Sequence, residues 1–286
     1  MENLSDIGVV REILNRHGFK FSKSLGQNFI INPSVCPRIA ENGVDDGGVG
    51  IIEVGAGIGV LTAELARRAR KVVSVELDER LLPVLDETLA DFDNVKIING
   101  DILKLDLNRL IGDEFDGMRV AVCANLPYYI TSPVIMRLLE SGADISSVTV
   151  MVQKEAAQRL CAEVGSREAG AVSVAVNYYS TAKKLFDVSR GSFMPAPKVD
   201  SSVIRLDVRS GPPISVGDEK FFFRMVKAIF AQRRKTAANA ISAGLGLEKA
   251  DVTAAITAAG FDENVRAERL DMEELGRLCE KLSETA

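Results

Sequence analysis

Four consecutive residues, Asn125-Leu126-Pro127-Tyr128, bring together a carboxamide, a backbone carbonyl with no competing N–H beside it, and an aromatic face. Such a set can hold a flat ring that bears an amine. The apolar run Val120-Ala121-Val122-Cys123-Ala124 precedes it and reads as a buried strand. The four residues therefore stand where a strand ends and a loop begins, the edge at which open α/β sheets carry their chemistry. Upstream lies a glycine-rich turn, Gly55-Ala56-Gly57-Ile58-Gly59. Together the two stretches point to transfer of a group from a nucleoside-type cofactor to a nucleobase amine.

The elements that must position these residues follow from the apolar pattern. Strands are predicted at Ile51–Val54, Lys71–Val75, Val95–Ile98, Val120–Ala124 and Val148–Val152, with helices beginning at Val60 and running over Leu81–Leu89. This alternation predicts a parallel sheet with crossover helices. A short helix is expected around Val9, Val10, Ile13 and Leu14. Phe193 to Val199 reads as a proline-punctuated loop, Ser202–Leu206 as a late strand and Ser210-Gly211-Pro212-Pro213 as a linker. From Glu219 onward the chain reads as helical, with Phe222, Met225, Val226 and Ile229 at helical spacing. The domain boundary is placed near residue 210.

A Gly-x-Gly-x-Gly turn between a strand and a helix lets a ligand approach the backbone. The dinucleotide fingerprint puts its last glycine one position later, where Val60 stands, so nothing points to a pyrophosphate. Alone, such a turn serves equally to pack a helix on a strand. Glu76 ends the second strand, 21 residues after Gly55, and a carboxylate at about that spacing can hold a ribose diol. Asp101, past the third strand, could accept from an adenine amine. Either carboxylate alone reads as a solvated loop residue. Their recurrence at successive strand ends is the stronger signal, and S-adenosylmethionine satisfies the set with adenine, ribose, a sulfonium and no phosphate.

The bulk properties narrow the classes. The 286 residues are 47% hydrophobic and 26% charged, an ordinary globular composition. No apolar run approaches the roughly 18–20 residues of a membrane span, and the first residues lack the basic and apolar regions of a signal peptide. Cys36, Cys123, Cys161 and Cys279 are scattered without a C-x-x-C pair, which fits a reduced cytoplasm, and Cys123 reads as a small core residue. His17 is the only histidine, so neither a metal site nor Ser-His-Asp chemistry is expected. With a net charge of −5, any binding of nucleic acid must come from a local basic face. The densest is Arg224, Lys227, Arg233, Arg234 and Lys235, which alternatively is only a solvated helix face.

Glu53-Val54-Gly55-Ala56-Gly57-Ile58-Gly59-Val60-Leu61-Thr62 resembles the cofactor motif of the ribosomal RNA adenine dimethyltransferases. Ser24-Leu25-Gly26-Gln27-Asn28-Phe29 resembles that family's N-terminal motif, and Asn125 to Pro133 its catalytic motif. Phe193-x-Pro195-x-Pro197-x-Val199-Asp200-Ser201-Ser202-Val203 and Phe230-Ala231-Gln232-Arg233-Arg234-Lys235-Thr236 resemble its later signatures. The likeness runs from about residue 10 to 280 and is strongest to the bacterial small-subunit enzymes. It implies an α/β, Rossmann-like class I methyltransferase fold with a seven-stranded, mostly parallel sheet over residues 1–210, and a small all-helical, RNA-contacting domain over residues 211–286. It implies S-adenosylmethionine against Asn28, Ile30, Gly55, Ala56, Gly57, Glu76, Leu77, Asp101, Ile102 and Asn125. Ile30 stands where leucine is commoner in the family.

The implied chemistry is methylation of an adenine exocyclic amine, a poor nucleophile because its lone pair is delocalised into the ring. The Asn125 side-chain oxygen and the Leu126 carbonyl would accept its two N–H bonds. Pro127 would stiffen the turn, Tyr128 would stack on the ring and Phe193 would close the other side, with Tyr129 read as packing. Out of context, the four-residue motif is a strand-terminating turn with a core tyrosine, and Phe193 a packing residue. The implied substrate is a pair of adjacent adenines in a hairpin loop near the 3′ end of small-subunit (16S) rRNA, on an immature 30S subunit, with a monomeric enzyme and RNA contacts from Lys23, Lys198, Arg233, Arg234 and Lys235. Three rival readings are a macrolide-resistance-type enzyme acting on large-subunit rRNA, a DNA adenine-N6 methyltransferase, and a ribosome-assembly factor whose catalysis is secondary.

Overall fold

Runs of Val and Ile without polar alternation cannot be satisfied in a half-exposed sheet, and three of them lie side by side at the centre of this one. The computed structural model describes residues 4–21, 26–232 and 234–284. Its strands in chain order are β1 (Phe29–Ile30), β2 (Gly50–Val54), β3 (Lys71–Glu76), β4 (Val95–Asn99), β5 (Val120–Asn125), β6 (Ile145–Gln153), β7 (Ser180–Val188), β8 (Phe193–Met194) and β9 (Ser201–Val208). Seven of them form one sheet in the order β4-β3-β2-β5-β6-β9-β7. Pairing from β4 through β6 is parallel, and β9 runs antiparallel to β6. β1 and β8 form a separate antiparallel pair, Phe29 opposite Met194 and Ile30 opposite Phe193.

The chain divides into two compact units. The first holds Met1–Ala157 and Ala182–Val208, and the second Gln158–Thr181 and Arg209–Ala286. The single boundary drawn near residue 210 from the sequence has no counterpart of the excursion at 158–181. Nor does the residue pattern disclose β7, whose exposed Lys183 and Lys184 interrupt any regular alternation. The segment read as a loop from Phe193 begins with β8. In the second unit, the helix Glu219–Ala231 starts where Asp218 accepts from the Phe221 N–H at 3.0 Å, and it buries Phe222, Met225, Val226 and Ile229 as their spacing predicts. Helices Ala237–Leu245, Lys249–Ala258 and Met272–Ser283 complete that unit's core with Ile241, Val252, Ile256, Leu275 and Leu278.

The central strands also bury a carboxyl. Glu53 in β2 is fully enclosed. Its Oε2 accepts from Thr62 Oγ1 at 2.6 Å and Ser74 Oγ at 2.7 Å, tying β2 to the helix Val60–Ala66 and to β3. Its Oε1 has no partner. Burial pushes the carboxyl up from 4.5 to about 7 against the opposing pull of the two hydroxyls. Folded, the group holds its proton over a range in which the unfolded chain has already released it. Stability therefore falls as pH rises from about 4.5 to about 7, then levels off. The full span corresponds to roughly 3 kcal/mol. Glu53→Gln should lack this component. In urea titrations the variant should gain on the wild type by about that amount between pH 5 and pH 8, whereas parallel pH profiles would contradict the assignment.

Candidate active site

The strand order reverses direction at β2. From it, β3 and β4 lie on one side and β5 and β6 on the other. The carboxyl ends of the strands flanking that switch form the crevice where such sheets bind ligands. Here Gly55, Glu76, Asp101 and Asn125 all line one cavity, together with Gly57, Leu77, Ile102, Leu126, Pro127 and Tyr128. Asn28 joins them from the N-terminal segment. Three of the cofactor and catalytic residues expected from the sequence are not on the wall. Ala56 and Ile30 are buried behind it, and Phe193 belongs to the main core at 3% exposure. Phe193 thus does not close the cavity as expected. Its backbone pairs with Ile30, and its side chain belongs to the buried cluster that also holds Phe29 and Ile30.

Glu76 shapes the middle of the cavity. Its Oε2 accepts the Gly57 N–H at 2.9 Å and its Oε1 the Asp78 N–H at 2.8 Å. Burial raises its carboxyl above the ordinary 4.5, and the amide hydrogen bonds partly offset this. Gly57 can meet this carboxylate because it adopts φ +60, which an L side chain rarely takes. Gly55, at φ +80, faces open space where a Cβ would project. Asp101 accepts from the Leu103 N–H at 3.0 Å. The wall contains two carboxylates and, among the described residues, no Lys, Arg or His. That donor set fits S-adenosylmethionine: acceptors for a ribose diol and an adenine amine, apolar Leu77 and Ile102 for the base, and no cation to attract a phosphate. Among the described residues, no group of three or more His, Cys, Asp or Glu could hold a metal ion.

The catalytic turn follows from β5. Leu126 is buried at 1% exposure, and its N–H donates to the Met151 carbonyl of β6 at 3.2 Å. Pro127 sets φ to −56, and the Pro127 carbonyl takes the Ile130 N–H at 3.1 Å. Asn125 Nδ2 donates to the Asn28 carbonyl at 3.3 Å, which turns Oδ1 the other way. Neither Asn125 Oδ1 nor the Leu126 carbonyl receives a hydrogen bond from the described residues. Two acceptors are left free beside the Tyr128 ring, whose hydroxyl lies 2.7 Å from Ser201 Oγ.

Several residues escaped the sequence reading. Tyr129, read as packing, is 55% exposed and lines the cavity. Gln27 Nε2 donates to Asp78 Oδ2 at 2.7 Å, and Arg80 grips the same carboxylate at 2.8 and 2.6 Å. Hydrogen bonds from Arg80 hold the Asp78 carboxyl below its ordinary value. No local spacing announces this link, because Gln27 and Asp78 are 51 residues apart. His17 contacts Glu87 at 2.6 Å and does not line the cavity. Lys198, Arg234 and Lys235 are exposed, while Lys23, Arg233 and the Ser24-Leu25 start of the N-terminal motif lie outside the described residues.

A family model described as Ribosomal RNA adenine dimethylase matches residues 18–284. The chain is 47% identical over 284 residues to the protein named Ribosomal RNA small subunit methyltransferase A in Alkaliphilus oremlandii, spanning 99% of both chains. It is 48% identical to the protein of that name in Geobacillus thermodenitrificans, over 98% of this chain and 97% of the relative. Among solved structures, the 23S rRNA methyltransferase ErmE aligns at TM-score 0.68 and 28% identity, covering 90% of this chain and 100% of its own. A dimethyladenosine transferase from Plasmodium falciparum aligns at TM-score 0.72 and 22% identity over 90% of this chain and 98% of its own, a likeness of fold.

The contrast between the two misplaced aromatics can be measured in urea. Phe193→Ala should cost roughly 3–5 kcal/mol, as deletions of core rings do. Tyr129→Ala should stay within about 0.5 kcal/mol of the wild type. A large loss at Tyr129 would return that ring to the core.

Proposed function

The chain belongs to the ribosomal RNA adenine dimethylase family, and from that premise we propose that it transfers methyl groups from S-adenosylmethionine to the N6 amines of two adjacent adenines, giving N6,N6-dimethyladenosine. The proposed substrate is a hairpin loop near the 3′ end of small-subunit (16S) rRNA in an immature 30S subunit, met by a cytoplasmic monomer. The observation that carries this reading is the pair of free acceptors, Asn125 Oδ1 and the Leu126 carbonyl, beside the Tyr128 ring. Two acceptors for two N–H bonds suit a primary amine on a flat ring. After one methylation a single N–H remains, and one acceptor still suffices to orient it.

When bound, the cofactor supplies a methyl group activated by its sulfonium. Glu76 would hold the ribose hydroxyls, Asp101 the adenine amine, and Leu77 and Ile102 the two faces of its base. Gly55 leaves room for the backbone approach, and Asn28 fixes the Asn125 side chain. Ala56 and Ile30 would act from behind the wall, and Phe193 by supporting β1. Drawing the amine toward tetrahedral geometry restores its lone pair as a nucleophile, so the chain's contribution is positioning and electrostatics rather than a strong base. The target base must leave its stack to reach the turn, and stacking on Tyr128 would return roughly 1–3 kcal/mol. Lys23, Lys198, Arg233, Arg234 and Lys235 are proposed phosphate contacts, of which Lys198, Arg234 and Lys235 are exposed, and the helical unit is proposed to contact RNA.

A large-subunit substrate is the second reading, motivated by the 28% identity to ErmE. The 47% and 48% identities to proteins named for the small subunit favour the first. The deciding assay offers labelled methyl donor to unmethylated small subunits, large subunits and DNA in parallel and reads products by nucleoside mass spectrometry. Dimethyladenosine from small subunits alone is expected, and label confined to large subunits would overturn the proposal.

Asn125→Ala should lower kcat by roughly 100- to 1,000-fold, the usual loss for one preorganised group at a reacting atom, and affect cofactor affinity far less. A loss of cofactor affinity with kcat unchanged would make Asn125 a binding residue only. Glu76→Gln should weaken cofactor binding on the order of 10-fold or more, since each of the two ribose hydrogen bonds to a charged acceptor exceeds a neutral one by about 1 kcal/mol. Because burial raises the Glu76 carboxyl, wild-type affinity should begin to fall at a higher pH than an ordinary glutamate would dictate as the solution is acidified. Calorimetric titrations of the Gln variant should lack that limb.

A further inference from the structure

Tyr128 offers its ring to the cavity but is also tethered at the far end. Its hydroxyl lies 2.7 Å from the Oγ of Ser201, 73 residues away in sequence. Ser201 is fully buried and is the first residue of β9, opposite Gln153 of β6. β6 is also the strand to which the catalytic turn is sewn through the Leu126 N–H and the Met151 carbonyl. The approach to Ser201 is itself held. The Asp200 carboxylate accepts the Arg190 N–H at 2.9 Å, and its carbonyl accepts the Lys154 N–H at 3.0 Å. The neighbouring serine cannot substitute, because Ser202 Oγ donates to Asp187 at 2.6 Å.

We infer that Ser201 is a positioning residue for methyl transfer, fixing the direction of the Tyr128 ring axis through the bond between the two hydroxyls. A tyrosine ring turns about two soft side-chain torsions. Held only at Cα it sweeps a wide arc; held at Cα and at the hydroxyl, which lies on the ring's long axis, it keeps that axis in one place. A base stacked on a ring so placed is then set against the two free acceptors at Asn125 and Leu126. Small displacements of a reacting group cost up to about 100-fold in rate. The phenol stays neutral over the working range, since burial raises it above its ordinary 10. The tether therefore persists as a hydroxyl–hydroxyl bond. Ser201 does not line the cavity, so it acts on the reaction through Tyr128 alone.

The kinetic part of the test rests on the proposed function, and the spectroscopic part does not. Ser201→Ala and Tyr128→Phe each remove one hydroxyl of the pair and should each lower kcat/KM for small subunits by roughly fivefold to tenfold, the range for one lost hydrogen bond. Cofactor affinity should not change. The double variant should be no worse than the poorer single variant, the signature of a shared interaction; multiplying losses would overturn the inference. In ring-labelled protein, Tyr128, Tyr129, Tyr178 and Tyr179 give the complete tyrosine set, and Tyr128→Phe assigns the relevant signals. Ser201→Ala should shift the Tyr128 ring resonances and leave the other three in place. Unmoved Tyr128 signals would refute the tether even if the wild type methylated no small subunit, in which case the failed activity would count against the proposed function instead.

Discussion

Parallel pairing in register between β2 and its two neighbours is the constraint on which the site depends. Val54 stands opposite Val75 on one side and Ala124 on the other, so β2, β3 and β5 end at the same level. The residues that follow Val54, Val75 and Ala124, namely Gly55, Glu76 and Asn125, are thereby brought to one edge of the sheet. A slip of one residue would turn each side chain to the opposite face. The apolar runs guard against this because both faces of the three strands are buried.

Two glutamates on adjacent strands illustrate how the same residue type is put to different uses by its surroundings. Glu53 points into the interior between β2, β3 and the following helix, is closed off from solvent and is pushed up to about 7. Its interactions with Thr62 and Ser74 bind elements together. Glu76 lies at the sheet edge, where two backbone amides orient it and the cavity reaches it. One organises the fold beneath the glycine turn and the other faces the space above it.

At the catalytic turn, what counts is which polar groups the fold leaves unpaired. Buried polar atoms are nearly always satisfied. Here the Leu126 N–H and the Asn125 Nδ2 are satisfied, while the oxygens beside them are not. The buried Leu126 side chain anchors the loop so that its carbonyl stays where the strand end puts it. Fixing acceptors in advance spares the reaction the cost of reorganising them.

The local pattern was sufficient for the parts of the fold whose information is local. The burial of Phe222, Met225, Val226 and Ile229, the strand ends at Glu76 and Asn125, and the glycine turn follow from spacing within a dozen residues. Strand β7 and the 158–181 excursion were not legible, because an edge strand with exposed lysines lacks a periodic signature and a chain crossing between units leaves no local mark. Within the site, the sequence determined the residue types and their place at the sheet edge. Tertiary structure alone decided that Phe193 packs inward, that Tyr129 faces out, that Gln27 reaches Asp78 and that Ser201 meets Tyr128. The physical reason is separation: a hydrogen bond across 73 residues or a ring's choice between core and cavity depends on where distant strands bring the chain together, and no short-range periodicity encodes that.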